Sequence, residues 1–457
     1  MESTLKVLRR ILPPTLLRTL QPIYHFVLAG LAAFWCGLPS RRLTVIGVTG
    51  TDGKTTTVHL LHEMLTAAGH RVGSLSSLRF KINDLEEPNL LKMTMPGRFR
   101  LQQFLARCRA SGCRFVVIEV TSQGIKQFRH RFIGFQAAVL TNVTPEHIED
   151  HGGFEAYRAS KLELFRRLPA KGIAVLNRQD ASAERFAAVT PATRIAWYER
   201  SAVELGGVGR PVRVLRVEPQ RIQLEIENVF IESALGGAFN VMNILAAAAA
   251  AMAFDVSLTA IAQAVGRVRG IPGRLEYVQR QPFAVVVDYA NTPVAYERVY
   301  QALQEARSKK QEARLICVFG APGGGRDRWK RPEIGKIAGR YCQQIVLTSD
   351  DPDDEDPAQI AEEIRSGIIG VEMSPTGVDS KKYSPSRVEE IPLVKIVLDR
   401  REAIRQALRD VKSGDTIIIT GMGAQPWQVI MGKKIPWDDR KVVREELQKL
   451  KKYEDEE

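Results

Sequence analysis

The chain has 457 residues, too many for one core, and at about 150 residues per domain it points to about three units. Hydrophobic residues make up 44% and charged residues 26%, ordinary for a globular protein, which excludes a disordered chain, a collagen-like repeat and a polytopic membrane protein. Lys and Arg number 65 against 52 Asp and Glu, a net charge of +13, so an anionic partner is expected: nucleic acid, a membrane surface or a phosphorylated substrate.

The run Ile23 to Leu38 is mostly apolar, preceded by Lys6, Arg9, Arg10 and Arg18 and followed by Arg41 and Arg42. Its 16 residues fall short of the roughly 20 that a membrane span needs. Gly37-Leu38-Pro39-Ser40 is a poor small-x-small cleavage site for a signal peptide. Residues 1–42 therefore read as a separate helical piece, lying on a membrane surface or against the protein's own body, with a true span as the third alternative.

Past residue 42, short β-branched apolar runs alternate with longer helical patterns, the signature of an α/β protein with mostly parallel sheets. Strands are expected over 43–48, 114–120, 137–141 and 173–176, with helices over 54–68 and 154–167. Residues 191–236 look like short β segments, and an Ala-rich helix is expected over 240–253. A second series has strands over 283–288, 314–319, 344–348, 394–398 and 416–420, separated by helices such as 293–307 and 400–408. Gly270-Ile271-Pro272-Gly273 is a loop-forming cluster between the two series, which gives domains 1–42, 43–271 and 272–457. Cys36, Cys108, Cys113, Cys317 and Cys342 are scattered, with no Cys-x-x-Cys pair, and are expected to be reduced thiols.

Gly47-Val48-Thr49-Gly50-Thr51-Asp52-Gly53-Lys54-Thr55-Thr56 sits between a strand and a helix, where glycine-rich backbone wraps phosphates and helix N-terminal amides face negative charge. Gly50, Thr51, Gly53 and Thr56 would line the phosphates, Lys54 would reach the outer ones, and the Thr55 hydroxyl would bind Mg²⁺. The strict phosphate-loop spacing has four residues between the glycines; here five separate Gly47 from Gly53. Glu119 ends a strand, and strand carboxyl ends in a parallel sheet face the ligand crevice, as a magnesium ligand should. Taken alone, His147 reads as a structural imidazole and Lys161 as a solvated helix charge.

Further segments change that. Thr141-Asn142-Val143-Thr144-Pro145-Glu146-His147-Ile148, then Asp150-His151-Gly152 and Ala159-Ser160-Lys161-Leu162-Glu163-Leu164-Phe165, resemble the central signature of the Mur ligases. With them go Glu119-Val120-Thr121-Ser122, Gly237-Ala238-Phe239-Asn240-Val241-Met242-Asn243, Pro272-Gly273-Arg274-Leu275-Glu276, Asp288-Tyr289-Ala290-Asn291-Thr292-Pro293 and Gly325-Arg326-Asp327-Arg328-Trp329-Lys330-Arg331-Pro332. They occur in the family's order from residue 47 to about 440, most like its MurE branch.

The resemblance implies a P-loop-type ATPase domain followed by a Rossmann-like α/β domain. It implies an ATP- and Mg²⁺-dependent ligase that adds an amino acid to a UDP-N-acetylmuramoyl-dipeptide-type acceptor through an acyl phosphate, in the cytoplasm, for peptidoglycan synthesis. Lys54 would hold the outer phosphates; Thr55 and Glu119 would hold one Mg²⁺, and His147 with Glu119 and Lys161 a second. Family lysines at the position of Lys161 are carbamylated, which turns an ammonium into an oxygen ligand. Asn240 and Asn243 match adenine-side asparagines, Arg274 the interdomain arginine and Asp288 an acid near the ribose or phosphates. Arg326, Asp327 and Lys330 match a loop that closes over the site. Thr94, Ser122, Gln127 and Arg129 fall on positions that handle the muramoyl dipeptide, Arg129 keeping the alternative of a solvated charge.

The departures from the family bear on substrates. About a hundred residues usually precede the phosphate loop and grip uridine, whereas 46 precede Gly47 here, so that grip is missing or replaced. The family's Asp-Asn-Pro-Arg for diaminopimelate reads Asp350-Asp351-Pro352-Asp353; with the arginine exchanged for an acid, Asp353 or neighbouring Asp354 would favour a cationic side chain such as lysine or ornithine, a solvated acidic loop being the alternative. Gly421-Met422-Gly423-Ala424-Gln425 stands where Gly-Lys-Gly-His-Glu is usual, and Gln123 and Asn291 replace histidines. Two alternatives stay open: a related ligase acting on a lipid-linked or poly-amino-acid acceptor, and an ATP-binding scaffold at the membrane.

The charge is localised. Residues 1–42 carry six Lys/Arg and one acid, and residues 98–131 carry eight and one, which together supply nearly all of the excess. That is no nucleic-acid coat. One stretch flanks the apolar N-terminal run, and the other spans the positions expected to meet a phosphorylated muramoyl substrate.

Overall fold

The computed structural model describes residues 14–307, 313–369 and 392–456. The chain forms two compact units: the stretch to Val143 with Glu155–Pro211 and Asn243–Ala264, and Thr144–Phe154 with Val212–Met242 and the chain from Val265 on.

The first unit is built on β1 (Thr44–Thr49), β2 (Val72–Leu75), β3 (Arg79–Ile82), β4 (Leu85–Pro88), β5 (Phe115–Glu119), β6 (Phe135–Leu140), β7 (Ile173–Asn177), β8 (Arg194–Glu199), β9 (Ala202–Leu205) and the first residues of β10 (Val208–Glu218). Their order is β10-β9-β8-β7-β6-β1-β5-β2-β3-β4. The central pairs β2/β5, β5/β1, β1/β6, β6/β7 and β7/β8 are parallel, and the edges are antiparallel. All of β5 and β7 is buried, which is why these strands read as unbroken apolar runs: a parallel strand is covered on both faces.

The N-terminal helix α1 (Pro14–Trp35) docks on its own unit. Ala29, Ala32 and Ala33 are buried, and Gly30 allows close approach, since a Cβ there would lie 3.2 Å from the Phe132 ring. The Phe26 and Phe132 rings are 5.0 Å apart, and Arg109 Nη1 donates to the Gly37 carbonyl at 3.2 Å. The helix ends where Gly37 and Leu38 take positive φ, a conformation that stops helical hydrogen bonding. Its other face is apolar and open: Leu20, Ile23, Val27, Leu31, Phe34 and Trp35 are exposed, the last two at 78% and 82%. Among the described residues no helix is long and apolar enough to cross a membrane.

The second unit carries β13 (Glu276–Gln279), β14 (Ala284–Asp288), β15 (Leu315–Phe319), β16 (Gln344–Leu347), β17 (Leu393–Ile396) and β18 (Thr416–Thr420), in the order β13-β14-β18-β15-β16-β17. Only the β13 edge is antiparallel. Alternate residues serve two cores: Val286, Cys317 and Ile418 face one, and Val285, Ile316 and Ile417 face the other. Residues Val212–Glu218 of β10 pair with β11 (Arg221–Ile226), and β11 with β12 (Val229–Ser233), all antiparallel.

One expectation is overturned. Cys317 and Cys342 are disulfide-bonded, while Cys36, Cys108 and Cys113 are free. Cys317 lies inside β15 and Cys342 caps the helix Lys330–Tyr341, so packing of that helix on the sheet brings together two cysteines 25 positions apart in sequence.

Candidate functional site

In the first unit the phosphate loop joins β1 to the helix α2 (Lys54–Ala67). Register sets Val48 beside Glu119 of β5 and Thr49 beside Leu140 of β6, so the loop, Glu119 and the segment after β6 converge at strand carboxyl ends. Gly50 and Gly53 have positive φ, and a Cβ would lie 1.9 Å from Thr141 Oγ1 at the first and 2.2 Å from Asn243 Oδ1 at the second. Both are therefore places where only glycine fits. Thr141 Oγ1 donates to the Asp52 carbonyl at 2.7 Å, and the Asp52 amide donates to Asn142 Oδ1 at 3.0 Å. The loop is thus held in shape from outside. Gly53 precedes α2 without a side-chain cap, which leaves the helix N-terminal amides for an anion.

Thr55 Oγ1 donates to Glu119 Oε2 at 2.9 Å, and the Ser77 amide donates to the same oxygen at 3.0 Å. The Thr55 and Ser77 hydroxyls share a hydrogen bond at 2.9 Å. Sequence reading missed Ser77, which follows a four-residue strand and carries no motif. A threonine hydroxyl and a carboxylate this close form an all-oxygen donor pair of the kind Mg²⁺ takes. Lys54 Nζ donates to the Thr51 carbonyl at 2.6 Å.

Lys161, on the helix Phe154–Arg166, is 1% exposed. Its Nζ donates to the Gly50 carbonyl at 2.7 Å and stands 4.3 Å from the Tyr157 ring centroid. Tyr157 Oη shares a hydrogen bond with Thr51 Oγ1 at 3.1 Å. The reading of Lys161 as a solvated charge is overturned, because helix periodicity turns Tyr157 and Lys161 inward together. Thr56 is buried in α2 and Asn243 is buried beside Gly53.

The positions expected to meet an acceptor form a second group in this unit. Ser122 opens a short helix capped by Thr121, whose side chain accepts from the Gly124 amide. Arg129 donates to the Met95 carbonyl and, at 2.5 Å, to Gln127 Oε1. Arg98 donates to the Gln127 carbonyl at 2.5 Å. Arg129 is therefore tied to Gln127 and to the Thr94-Met95-Pro96 loop, and is not a solvated charge. Arg98 is a further residue that sequence reading passed over.

In the second unit the His147 and Ile148 amides donate to the two carboxylate oxygens of Asp327 at 2.8 and 3.0 Å. Lys330 Nζ lies 2.9 Å from Asp327 Oδ2 and 3.4 Å from Glu146 Oε1. Burial alone would raise the Asp327 pKa; Lys330 and the His147 amide outweigh it and hold the carboxyl below its usual range. His147 takes a positive φ, and its Nδ1 is 3.9 Å from Asp327 and 3.8 Å from Asp150. Asn240 Nδ2 donates to the Gly236 carbonyl at 2.7 Å. Asp288 accepts from the Leu275 and Ala290 amides at 2.6 and 2.7 Å, and the Arg274 guanidinium stacks 4.5 Å over the Tyr289 ring. Arg326 is exposed.

Two loops at strand ends of this unit meet. The Val429 amide donates to Asp351 Oδ1 at 2.6 Å, and the Asp353 amide donates to the Val429 carbonyl at 3.0 Å. Gln425 is buried and its Oε1 has no partner. Behind them Arg400 and Asp439 form a fully buried pair at 2.8 Å; Arg400 also donates to the Thr420 carbonyl, and Asp439 accepts from the Gly423 amide. Neither was legible as a site residue. The expected second-metal donors divide between the units, Glu119 and Lys161 in the first and His147 in the second. Among the described residues, His, Cys, Asp and Glu form no cluster of three or more suited to a metal.

Residues 48–251 match the family described as Mur ligase middle domain, and residues 273–423 match Mur ligase, glutamate ligase domain. The chain is 36% identical over 438 residues to the UDP-N-acetylmuramoyl-L-alanyl-D-glutamate--2,6-diaminopimelate ligase of Syntrophomonas wolfei, covering 95% of this chain and 83% of that one. It is 37% identical to the enzyme of the same name from Gloeobacter violaceus over 92% of this chain and 80% of that one. A solved structure of a ligase so named superposes with a TM-score of 0.55 at 29% identity, over 89% of this chain and 79% of that one.

Proposed function

The chain belongs to the Mur ligase family, and from that premise we propose that it joins an amino acid to a muramoyl-dipeptide acceptor at the expense of ATP. It is an ADP-forming acid–amino acid ligase of the MurE type. The observation that carries the assignment of roles is the Thr55 hydroxyl 2.9 Å from Glu119 at the mouth of the phosphate loop.

In the proposed reaction an acceptor carboxylate oxygen attacks the γ-phosphorus of ATP, ADP leaves, and an acyl phosphate remains. The amine of the incoming amino acid attacks the acyl carbon, phosphate departs, the amine loses a proton and an amide is formed. The protein's work is to gather negative charge and hold reactants in line. The Gly50 to Thr56 backbone and Lys54 would cradle the phosphates. Asn240, Asn243, Arg274 and Asp288 would hold the rest of the nucleotide, and Arg326, Asp327 and Lys330 would form the covering loop. Bound Mg²⁺ would screen phosphate charge; Thr55 and Glu119 would hold one ion, and His147, Glu119 and Lys161 a second. For that last role the neutral Lys161 amine adds carbon dioxide and releases a proton, giving a carbamate. Its burial against a backbone carbonyl supports a modified side chain, since a buried ammonium beside a metal ion would repel it.

Thr94, Ser122, Gln127 and Arg129 would receive the muramoyl dipeptide. Asp351, Asp353 and Gln425 would receive the amino acid, and an acid at 353 supports a cationic side chain such as lysine or ornithine over diaminopimelate. We keep 1–42, 43–271 and 272–457 as the functional division and place the reaction in the cytoplasm, where ATP is supplied.

A lipid-linked acceptor at the inner membrane face is a second reading, favoured by the open apolar face of α1. Phe34 and Trp35 at its end, followed by exposed Arg41 and Arg42, suit an anionic bilayer surface. Co-sedimentation with anionic liposomes tests it: the full chain should pellet, and Leu31→Glu with Trp35→Glu should stay in solution. Equal recovery of both in the supernatant would remove the membrane contact. For the ligase itself, phosphate release that depends on ATP, acceptor and amino acid together is expected; none with any acceptor would overturn it.

A further inference from the structure

The docked face of α1 presents a histidine where the expected acceptor positions lie. His25 is 8% exposed, and both of its ring nitrogens are buried without a hydrogen-bond partner. Next along the helix, Phe26 packs on Phe132 at 5.0 Å and meets Phe128 at 6.5 Å, the residue before Arg129. Arg98 and Arg129 converge on Gln127, one on its carbonyl and one on its side chain, and the Nε of each arginine is buried and unpartnered. Among the described residues none of the three is paired with a carboxylate.

Two guanidinium groups and an imidazole gathered without an acid are costly unless an anion joins them, and buried unpaired donors call for a partner. Burial, Arg98 and Arg129 push the His25 pKa down to about 4; burial and Arg98 push Arg129 down to about 10. An anion between them removes the repulsion. A single carboxylate is satisfied by one guanidinium, whereas two guanidinium groups that each keep an unpartnered Nε, together with an imidazole, match a group of several charged oxygens.

We propose that His25, Arg98 and Arg129 form the subsite for the diphosphate of the muramoyl acceptor, with the N-terminal helix contributing His25. The inference rests on the reading of Gln127 and Arg129 as acceptor residues. It gives residues 1–42 a role in the first unit's chemistry: α1 carries a polar anchor on its inner face and an apolar strip on its outer face. A nucleotide-linked and a lipid-linked acceptor share the diphosphate and differ beyond it.

The test uses the full chain and the variants His25→Leu and Arg98→Gln. KM is measured for UDP-muramoyl-dipeptide, for a polyprenyl-diphosphate-linked muramoyl dipeptide in micelles, and for muramoyl dipeptide without a diphosphate. Binding of methylenediphosphonate is measured by calorimetry without turnover. The unaltered chain should prefer the diphosphate acceptors, and each variant should raise their KM about tenfold, erase the preference over the diphosphate-free acceptor and weaken methylenediphosphonate. Preference for one diphosphate acceptor identifies its source. A KM that rises equally for all three acceptors would assign the cluster to the peptide and overturn the subsite, as would unchanged KM values with unchanged methylenediphosphonate binding. If no acceptor turns over while methylenediphosphonate still binds the unaltered chain and not the variants, the anion subsite stands and the ligase reading fails.

Discussion

Lys161 Nζ donates to the carbonyl of Gly50 at 2.7 Å, which sets a buried lysine against the backbone that is to hold phosphates. Lys161→Ala should lower turnover by about a hundredfold or more. If the side chain works as a carbamate, a short carboxylic acid should partly restore activity to that variant, because it replaces the missing oxygen ligand. Full activity of Lys161→Ala would remove the lysine from the metal site.

Glu119 accepts from Thr55 and from the Ser77 amide through one oxygen. Glu119→Gln keeps the shape and removes the charge, so phosphate release should fall about a hundredfold and need more Mg²⁺ to saturate. An unchanged Mg²⁺ titration would show that Glu119 serves only to fix the loop.

The parallel cores were legible because strands covered on both faces appear as unbroken apolar runs; β1, β5, β7, β14, β15 and β18 all fall close to where periodicity puts them. The short strands β2 to β4 were not, since each has four residues and the last, at the sheet edge, is fully exposed. At the site, Lys54, Thr55 and Glu119 could be read from their place after strands. Ser77, Arg98 and His25 could not, because what gathers them is tertiary packing of a short loop and two helices. Lys161 looked solvated from its residue type alone; the motif around it pointed inward instead, and its burial against Gly50 agrees with the motif.

Arg400 and Asp439 are paired with 1% and 0% of their side chains exposed, and they hold the strand-end loops through Thr420 and Gly423. Asp439→Asn leaves a buried guanidinium uncompensated and should cost about 3–5 kcal/mol, read as earlier unfolding of the second unit in urea. Replacing both with apolar residues of similar volume should cost less. Equal losses in single and double variants would contradict a charge-based explanation.

Glu446 is shifted by burial, which alone would raise its pKa, and more strongly by hydrogen bonds from Arg405, Lys449 and Arg401, which bring it down to about 2 from an ordinary 4.5. A carboxyl depressed in the folded state stabilises above its unfolded pKa and loses that contribution as pH falls. Packing of the C-terminal helix Asp439–Glu456 should therefore weaken between about 4.5 and 2, followed by circular dichroism across acid pH. Glu446→Gln should flatten that limb; an unchanged acid profile would exclude Glu446 as its source.

The most direct measurement is a screen of the full chain with ATP, Mg²⁺, UDP-muramoyl-dipeptide and single amino acids, recording phosphate release and product mass. Release should depend on the amino acid, with lysine or ornithine ahead of diaminopimelate, and the product should gain the mass of that residue. Diaminopimelate ahead of both would contradict the role given to Asp353, and no amino-acid-dependent release with UDP-linked, lipid-linked or free muramoyl dipeptide would contradict the ligase itself.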